Sequence, residues 1–407
     1  MDRALSHTIA VIAAMVTIGA ATLWGQEGRD WKIGWWDTQR KGANMQNERP
    51  RPEYWRAAGD LGLDYVRIAP DAFPAARRDF LIGDADAYEG IVEEDLALLV
   101  RELDAAERNH VKVVLTMFSL PGARWSQKNG DVGDGRLWRD ERYRAEAPSF
   151  WRDLAGRLKG HPAVVAYNPL NEPCPDREYG FELGSPRFGA WYSGIKGTVA
   201  DVNEFNRRMV AAIREVDDDT PILLDGWFYA DPKGFPYVEP IDDPRILYAF
   251  HNPGPWQLCT FKANAGKYSY PDRVPERWNG PGRKWNRARL AREFADVERW
   301  AAKYGVDRRR IVASEFWMDR RVKGAREYLA DLIALYDERG WHWSFYAFRG
   351  DGAWTGLDYE LGPDPKVPAG IYEAAERGEE IENLKHRAPN PLWNVIAREF
   401  RAREFRR

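Results

Sequence analysis

Two glutamates stand where a carboxylate could do chemistry. Glu172 lies in Tyr167-Asn168-Pro169-Leu170-Asn171-Glu172-Pro173, closing the apolar run 164–170, and Glu315 closes another in Ala313-Ser314-Glu315-Phe316. Two carboxyls facing each other across a cleft can cleave a glycosidic bond: one protonates the departing oxygen while the other attacks the anomeric carbon. Either residue alone reads as ordinary, because a carboxylate at a strand end also caps helices or pairs with arginine. Two at matching ends of two strands, the first inside Asn-Glu-Pro, favour the chemical reading.

Other chemistries lack their residues. No Gly-x-Ser-x-Gly and no His-Glu-x-x-His occurs, and His7, His110, His161, His251, His342 and His386 form no ligand spacing. A metal site is therefore not expected, nor is a cofactor. The net charge of −3, with basic residues scattered, argues against nucleic acid. Trp is abundant, at 19 residues beside 18 Tyr and 17 Phe. Indoles fill cores, yet they also stack on the apolar faces of sugar rings, so the composition leans towards carbohydrate. Trp36 (beside Trp35), Trp227 and Trp354 fall near strand ends or in a Gly-rich loop and are candidate sugar platforms.

Such residues need a scaffold that brings strand ends together. Eight short apolar runs read as strands: 32–36, 64–68, 111–117, 164–170, 222–225, 246–250, 311–314 and 343–348. Several are apolar throughout, as strands buried on both faces should be. Between them runs the helical period. Leu96, Leu99, Val100 and Leu103 fall at i, i+3, i+4 and i+7; Leu329, Leu332, Ile333 and Tyr336 repeat it, and Leu290, Phe294, Val297 and Ala301 approximate it. Further helices are expected near 150–158, 202–216 and 391–404. The alternation predicts an α/β fold, a single (β/α)8 TIM barrel with long βα loops over 69–90, 118–140, 171–201 and 252–284. An open doubly wound sheet would carry a Gly-rich phosphate turn after its first strand, and none is present.

The N-terminus reads as an export signal over 1–26, ahead of one catalytic domain at 27–407. Arg3 precedes the apolar stretch Ile9–Trp24, with Gly19, Ala20 and Ala21 as small residues for cleavage. The stretch is long for a signal and short for a span, so a retained anchor is the competing reading. A secreted monomer is expected. Cys174 and Cys259 could pair outside the cytoplasm or stay free thiols; spacing leaves both open.

From about Trp31 to Phe400 the chain resembles glycoside hydrolase family 5, the cellulase family of (β/α)8 retaining enzymes. The resemblance rests on Asn171-Glu172-Pro173 after the fourth run, Glu315 at the end of the seventh, Val66-Arg67-Ile68 at the second and Tyr248-Ala249-Phe250-His251 at the sixth. It implies that Glu172 is acid/base, Glu315 nucleophile and Asn171 the partner of the sugar 2-hydroxyl. It also implies that Arg67 keeps the nucleophile ionised, as a nearby cation should, with His251 in support.

Three positions depart from the family pattern. Thr116-Met117-Phe118 lacks the Asp-x-His that usually ends strand three, and Pro253 replaces the tyrosine that follows the strand-six histidine. Tyr346 falls where strand eight usually presents a Trp, with Trp343 as the alternative register. Tyr229 or Trp256 are candidate substitutes. The expected activity is retaining hydrolysis of a β-linked poly- or oligosaccharide, with an endo-β-1,4-glucanase as the leading reading. A mannanase, xylanase or exo-β-glucosidase on the same scaffold is the alternative, and a non-catalytic carbohydrate-binding barrel is the reading from another class.

Overall fold

The computed structural model describes residues 30–401, apart from 46, 252–253, 277–279, 365 and 367. The leader expected over 1–26 and the departure at Pro253 lie outside the described residues. Among those described, no helix is long and apolar enough to cross a membrane.

Eight parallel strands close into a barrel. They are β1 (Lys41–Met45), β2 (Tyr65–Ile68), β3 (Lys112–Thr116), β4 (Val164–Asn168), β5 (Ile222–Asp225), β6 (Ile246–Phe250), β9 (Ile311–Phe316) and β10 (His342–Tyr346). β7 (Asp272–Pro275) and β8 (Gly282–Trp285) form a separate antiparallel hairpin in the connection after β6. The ring runs β1-β10-β9-β6-β5-β4-β3-β2, so the barrel closes where β1 pairs with both β10 and β2. Seven of the strands fall on the apolar runs read from the sequence.

The first does not. Residues 32–36 form a short helix, α1 (Trp31–Trp35), and the strand is Lys41-Gly42-Ala43-Asn44-Met45 instead. That segment shows little β propensity, and its Gly42 is a packing requirement: a Cβ there would lie 2.5 Å from the Tyr65 carbonyl oxygen and 2.8 Å from its ring. The strongly aromatic 31–36 segment plugs the N-terminal end of the barrel. Trp36 is fully buried and donates Nε1–H to the Val165 carbonyl oxygen at 3.0 Å. Its ring packs edge-on against Tyr65 and His342, above a barrel interior filled by Val114, Val165, Leu223, Leu247 and Val312. Lys32 Nζ donates to Thr220 Oγ1 at 2.8 Å and ties the plug to the base of β5.

The outer layer is helical: α2 (Pro52–Leu61), α3 (Glu93–Arg108), α4 (Tyr143–Leu158), α5 (Val202–Arg214), α6 (Ala295–Tyr304), α7 (Ala325–Arg339) and α8 (Trp393–Arg401). Each turns an apolar stripe onto the sheet, Leu96, Leu99 and Leu103 on α3 and Leu329, Leu332 and Tyr336 on α7 being buried. The fifth unit breaks the alternation. After β5 the chain takes only a short turn at Trp227–Ala230 and a 3-10 segment at Pro232–Tyr237 before β6.

The long loops at the C-terminal ends of the strands are held by charge. Arg124, in the loop after β3, reaches Asp79 (3.0 Å), Asp84 (2.5 Å) and Asp86 (2.8 Å) in the loop after β2. Arg124 is itself 6% exposed, so this cation is desolvated and its three carboxylates fix the approach of the two loops. Cys174 is a free thiol, and Cys259 is buried with its Sγ 3.4 Å from Tyr328 Oη.

Candidate active site

Arg67 at the end of β2 organises the barrel mouth. Its side chain is almost completely buried, and every part of the guanidinium fork has work. Nη1 donates to Glu315 Oε1 and to Asn44 Oδ1 (3.0 Å). Nη2 donates to Asn171 Oδ1 (2.7 Å) and Asn168 Oδ1 (2.7 Å), and Nε also reaches Asn168 Oδ1 at 3.1 Å. A planar five-donor group is suited to holding four strand ends in one geometry. Glu315 is 6% exposed, second to last in β9. Burial pushes its carboxyl up from the ordinary value, while the His251 and Arg67 cations act in the opposite sense.

Glu172 reaches the same space from the other side. Its φ of 52° puts a non-glycine residue in the left-handed region, ahead of Pro173, a conformation costing about 1–3 kcal/mol that only surrounding contacts maintain. Two contacts flank it: Asn171 N–H donates to Met117 O at 2.9 Å, and Glu172 N–H donates to Asp225 Oδ2 at 3.0 Å. The carboxyl lies against His251, with Nδ1 2.8 Å from Oε1. The His251 ring also sits 3.4 Å from Asp225 Oδ2 through Nε2, and 3.8 Å from Glu315 Oε2 through Nδ1. Burial works to lower the His251 pKa, but the Glu315, Asp225 and Glu172 carboxylates outweigh it and raise it to about 9. The ring is therefore an imidazolium at neutral pH and becomes neutral only as pH rises through that value.

Carboxylate oxygens of Glu172 and Glu315 lie within 4.8 Å of each other. An approach this close accords with the roughly 5–5.5 Å between the carboxyl groups of a retaining pair and falls short of the about 6.5–9.5 Å of an inverting one. Glu172, His251 and Glu315 are also a three-ligand cluster by type. Glu315 Oε1 accepts from Arg67, and Glu172 Oε1 lies against His251 Nδ1.

A cavity of about 260 Å³ opens over the two carboxylates, lined by Asn171, Phe118, Trp125, Trp256, Trp317, Tyr346 and Trp354. A second lobe of about 220 Å³ shares Trp125, Gln127, Tyr346, Trp354 and Leu357 and continues to Glu48, Lys128 and Asp358. The cleft is thus bilobed, with Trp125, Trp256, Trp317, Trp354 and Tyr346 set around the two carboxylates. Trp256 and Trp354 expose 57% and 56% of their surface there. Phe118 stands where the missing histidine would be. Asp71 accepts the backbone N–H groups of Phe118 (3.0 Å) and Ser119 (2.7 Å), and Phe118 meets Trp125 edge-on at 5.0 Å.

Eight of the ten residues singled out in the sequence lie at the barrel mouth: Glu172, Glu315, Arg67, Asn171, His251 and Tyr346 around the reacting centre, Trp256 and Trp354 on the cleft wall. Tyr346 ends β10 opposite Asn44, while Trp343 is fully buried, so the Tyr346 register holds. Burial above all, then the Glu315 carboxylate, raises the Tyr346 phenol and keeps it a donor. Trp36 and Trp227 are not in the cleft. Trp36 plugs the opposite end of the barrel, because it follows the short helix Trp31–Trp35 that precedes the first strand. Trp227 is fully buried against Phe188, Trp191 and Tyr192 under the loops that follow β4 and β5. Tyr229 is 36% exposed with its hydroxyl accepting from Arg177 at 2.6 Å, outside both lobes.

Sequence reasoning missed Asn44, Asn168, Asp225, Trp125 and Trp317. Asn44 was lost with the first strand. Asp225 was visible as the polar last residue of Ile222–Asp225, and Trp317 as the residue two beyond Glu315 on the same face of an extended chain. Trp125 lies in an irregular loop and left no periodic signal.

Comparison with known proteins follows the same outline. A family model described as Cellulase (glycosyl hydrolase family 5) matches residues 37–352. A β-xylosidase of Phanerodontia chrysosporium is 25% identical over 297 residues, covering 72% of this chain and 55% of that protein; the chain thus spans about half the length of that relative. Among solved structures, Thermotoga maritima Cel5A in complex with mannotriose superposes with a TM-score of 0.58 at 15% identity, over 84% of this chain and 99% of that one. The Pseudomonas stutzeri endoglucanase Cel5A gives 0.56 at 20% identity, over 78% and 89%. At these identities the structural likeness speaks for the fold.

Proposed function

The chain belongs to glycosyl hydrolase family 5, and from that premise we propose that it cleaves a β-linked polysaccharide by double displacement, with Glu172 as acid/base and Glu315 as nucleophile. The observation that carries this reading is the carboxylate pair within 4.8 Å, one member gripped by Arg67 and the other by His251. In the first step a Glu315 oxygen bonds to the anomeric carbon as the glycosidic C–O bond breaks. The leaving oxygen takes the Glu172 proton. In the second, Glu172 removes a proton from water, the water oxygen bonds to the anomeric carbon, and Glu315 is released. Arg67 disperses the charge Glu315 carries before attack and regains, and Asn171, held by Arg67, is placed to meet the sugar 2-hydroxyl.

The second lobe bears on the mode of cleavage. The leaving group must lie towards Glu172, after β4, and this lobe is walled by residues following β1, β2, β3 and β10 instead. It therefore extends the glycone side beyond the ring that reacts. Space for a further sugar there favours an endo-acting glucanase over an enzyme that removes one terminal residue. The β-xylosidase relative keeps a xylan-directed reading as the alternative. The apolar stretch Ile9–Trp24 behind Arg3 supports export as the setting for a polymeric substrate.

The test is a hydrolysis screen over cellulose, mixed-linkage glucan, xylan and mannan, with the anomer first released followed by NMR. The β anomer and oligosaccharides longer than one unit are expected, and Glu315→Ala should abolish turnover. An α product first, or full activity in Glu315→Ala, would refute the assignment. Binding without any turnover by the wild type would return the chain to a carbohydrate-binding barrel.

A further inference from the structure

We propose that Asp225 is a positioning residue for the acid/base, presenting Glu172 to the leaving oxygen through two contacts, one to its backbone and one through the His251 ring. The inference rests on Glu172 being the acid/base. Asp225 ends β5, its side chain has no exposed surface, and it does not line the cavity over the carboxylates. A buried carboxylate is retained only where partners offset its desolvation, and those of Asp225 all belong to the reacting centre. Oδ2 accepts the Glu172 backbone N–H at 3.0 Å, at the residue whose left-handed conformation needs holding. The same oxygen lies 3.4 Å from His251 Nε2 and 3.8 Å from Arg67 Nη2. Among the described residues, His251 Nε2 is buried with no hydrogen-bond partner, so the Asp225 carboxylate is the group that faces it.

The geometry makes a line: Asp225, the His251 ring, then Glu172. The groups that face the ring from the surrounding elements are Glu172 after β4, Asp225 on β5 and Glu315 on β9, with Arg67 on β2 and the Tyr346 phenol on β10 behind them. Three carboxylates around one imidazole favour its charged form. An imidazolium donating Nδ1–H to Glu172 steers that carboxyl and receives the charge it acquires when its proton departs. The backbone holds the other end: His251 N–H donates to Ala230 O at 2.8 Å, and Ala230, five residues beyond Asp225, ends three successive left-handed residues, Phe228 to Ala230. Asp225 thus anchors Glu172 directly and sets the state of the ring that touches it.

Asp225→Asn keeps the shape and an acceptor oxygen but removes the charge. The expected result is an alkaline limb of the pH–rate profile at least one unit lower. The kcat/KM of a glycoside with a poor leaving group should fall at least tenfold, while the kcat/KM of a dinitrophenyl glycoside, which departs without protonation, stays within threefold. A profile superimposable on the wild type, or equal losses on both substrates, would overturn the proposal. The second measurement needs no variant: the 15N-labelled His251 ring of the wild type, followed by NMR, should keep its charge through neutral pH and titrate near pH 9. Titration at the ordinary value of about 6.5 would equally overturn it. Absence of wild-type hydrolysis would instead sink the acid/base reading, and the NMR titration separates the two failures.

Discussion

Replacing Arg67 with Met keeps the volume of the side chain and removes its charge and all its donors. The magnitude follows from the geometry. Glu315 and Arg67 are in direct hydrogen-bonding contact and both are buried. At a charge separation of about 4 Å and an effective dielectric near 20, their attraction is worth about 4 kcal/mol, equivalent to about three pKa units. His251 remains 3.8 Å from Glu315 and recovers part of that, so a rise of about 2–3 units in the Glu315 carboxyl is expected. The sign is set by the chemistry: the attacking form is the carboxylate, so losing the cation moves the acidic limb of kcat/KM to higher pH. In the acid range, kcat/KM should then fall roughly 100- to 1000-fold. Arg67→Lys keeps a charge but not the planar fork, and should hold the limb while lowering kcat, since Asn171 and Asn168 lose their shared donor. The fold must be checked in parallel by urea unfolding, because breaking a buried pair costs about 3–5 kcal/mol. A folded Arg67→Met enzyme with an unmoved acidic limb would refute the reasoning that Arg67 governs the charge on Glu315.

Two further outcomes separate plug from cleft. Trp36→Ala should lower unfolding stability by about 3–5 kcal/mol through the cavity left behind with KM unchanged; a raised KM with intact stability would put Trp36 back among the sugar contacts. Trp256→Ala and Trp354→Ala should each raise KM about 5- to 12-fold, the loss of a stacking contact worth about 1–1.5 kcal/mol, with stability untouched because both rings are more than half exposed. Unchanged KM in both would mean that the aromatic wall does not touch substrate.

How much was legible varied with how local the signal is. The buried strands β2–β6, β9 and β10 announce themselves because both faces of each are apolar, and the helices because one stripe is. β1 did not, since Lys41-Gly42-Ala43-Asn44-Met45 owes its strand state to neighbours on both sides and to the bare Gly42 that admits Tyr65. The aromatic segment 31–36 looked more like a strand than the strand did, because a plug must be as apolar as the interior it fills.

Residue type and strand-end position were enough to single out Glu172 and Glu315, and the resemblance to the family added Arg67, Asn171 and His251. Which of the many tryptophans meet substrate was not decided there: indole serves core and cleft alike, and only packing sends Trp36 and Trp227 inward and Trp256 and Trp354 outward. Nor could spacing along the chain reveal that Asp225 lies behind His251, or that Glu172 and Glu315 come within 4.8 Å. Those relations join residues far apart in sequence, and closure of the barrel is what makes them neighbours.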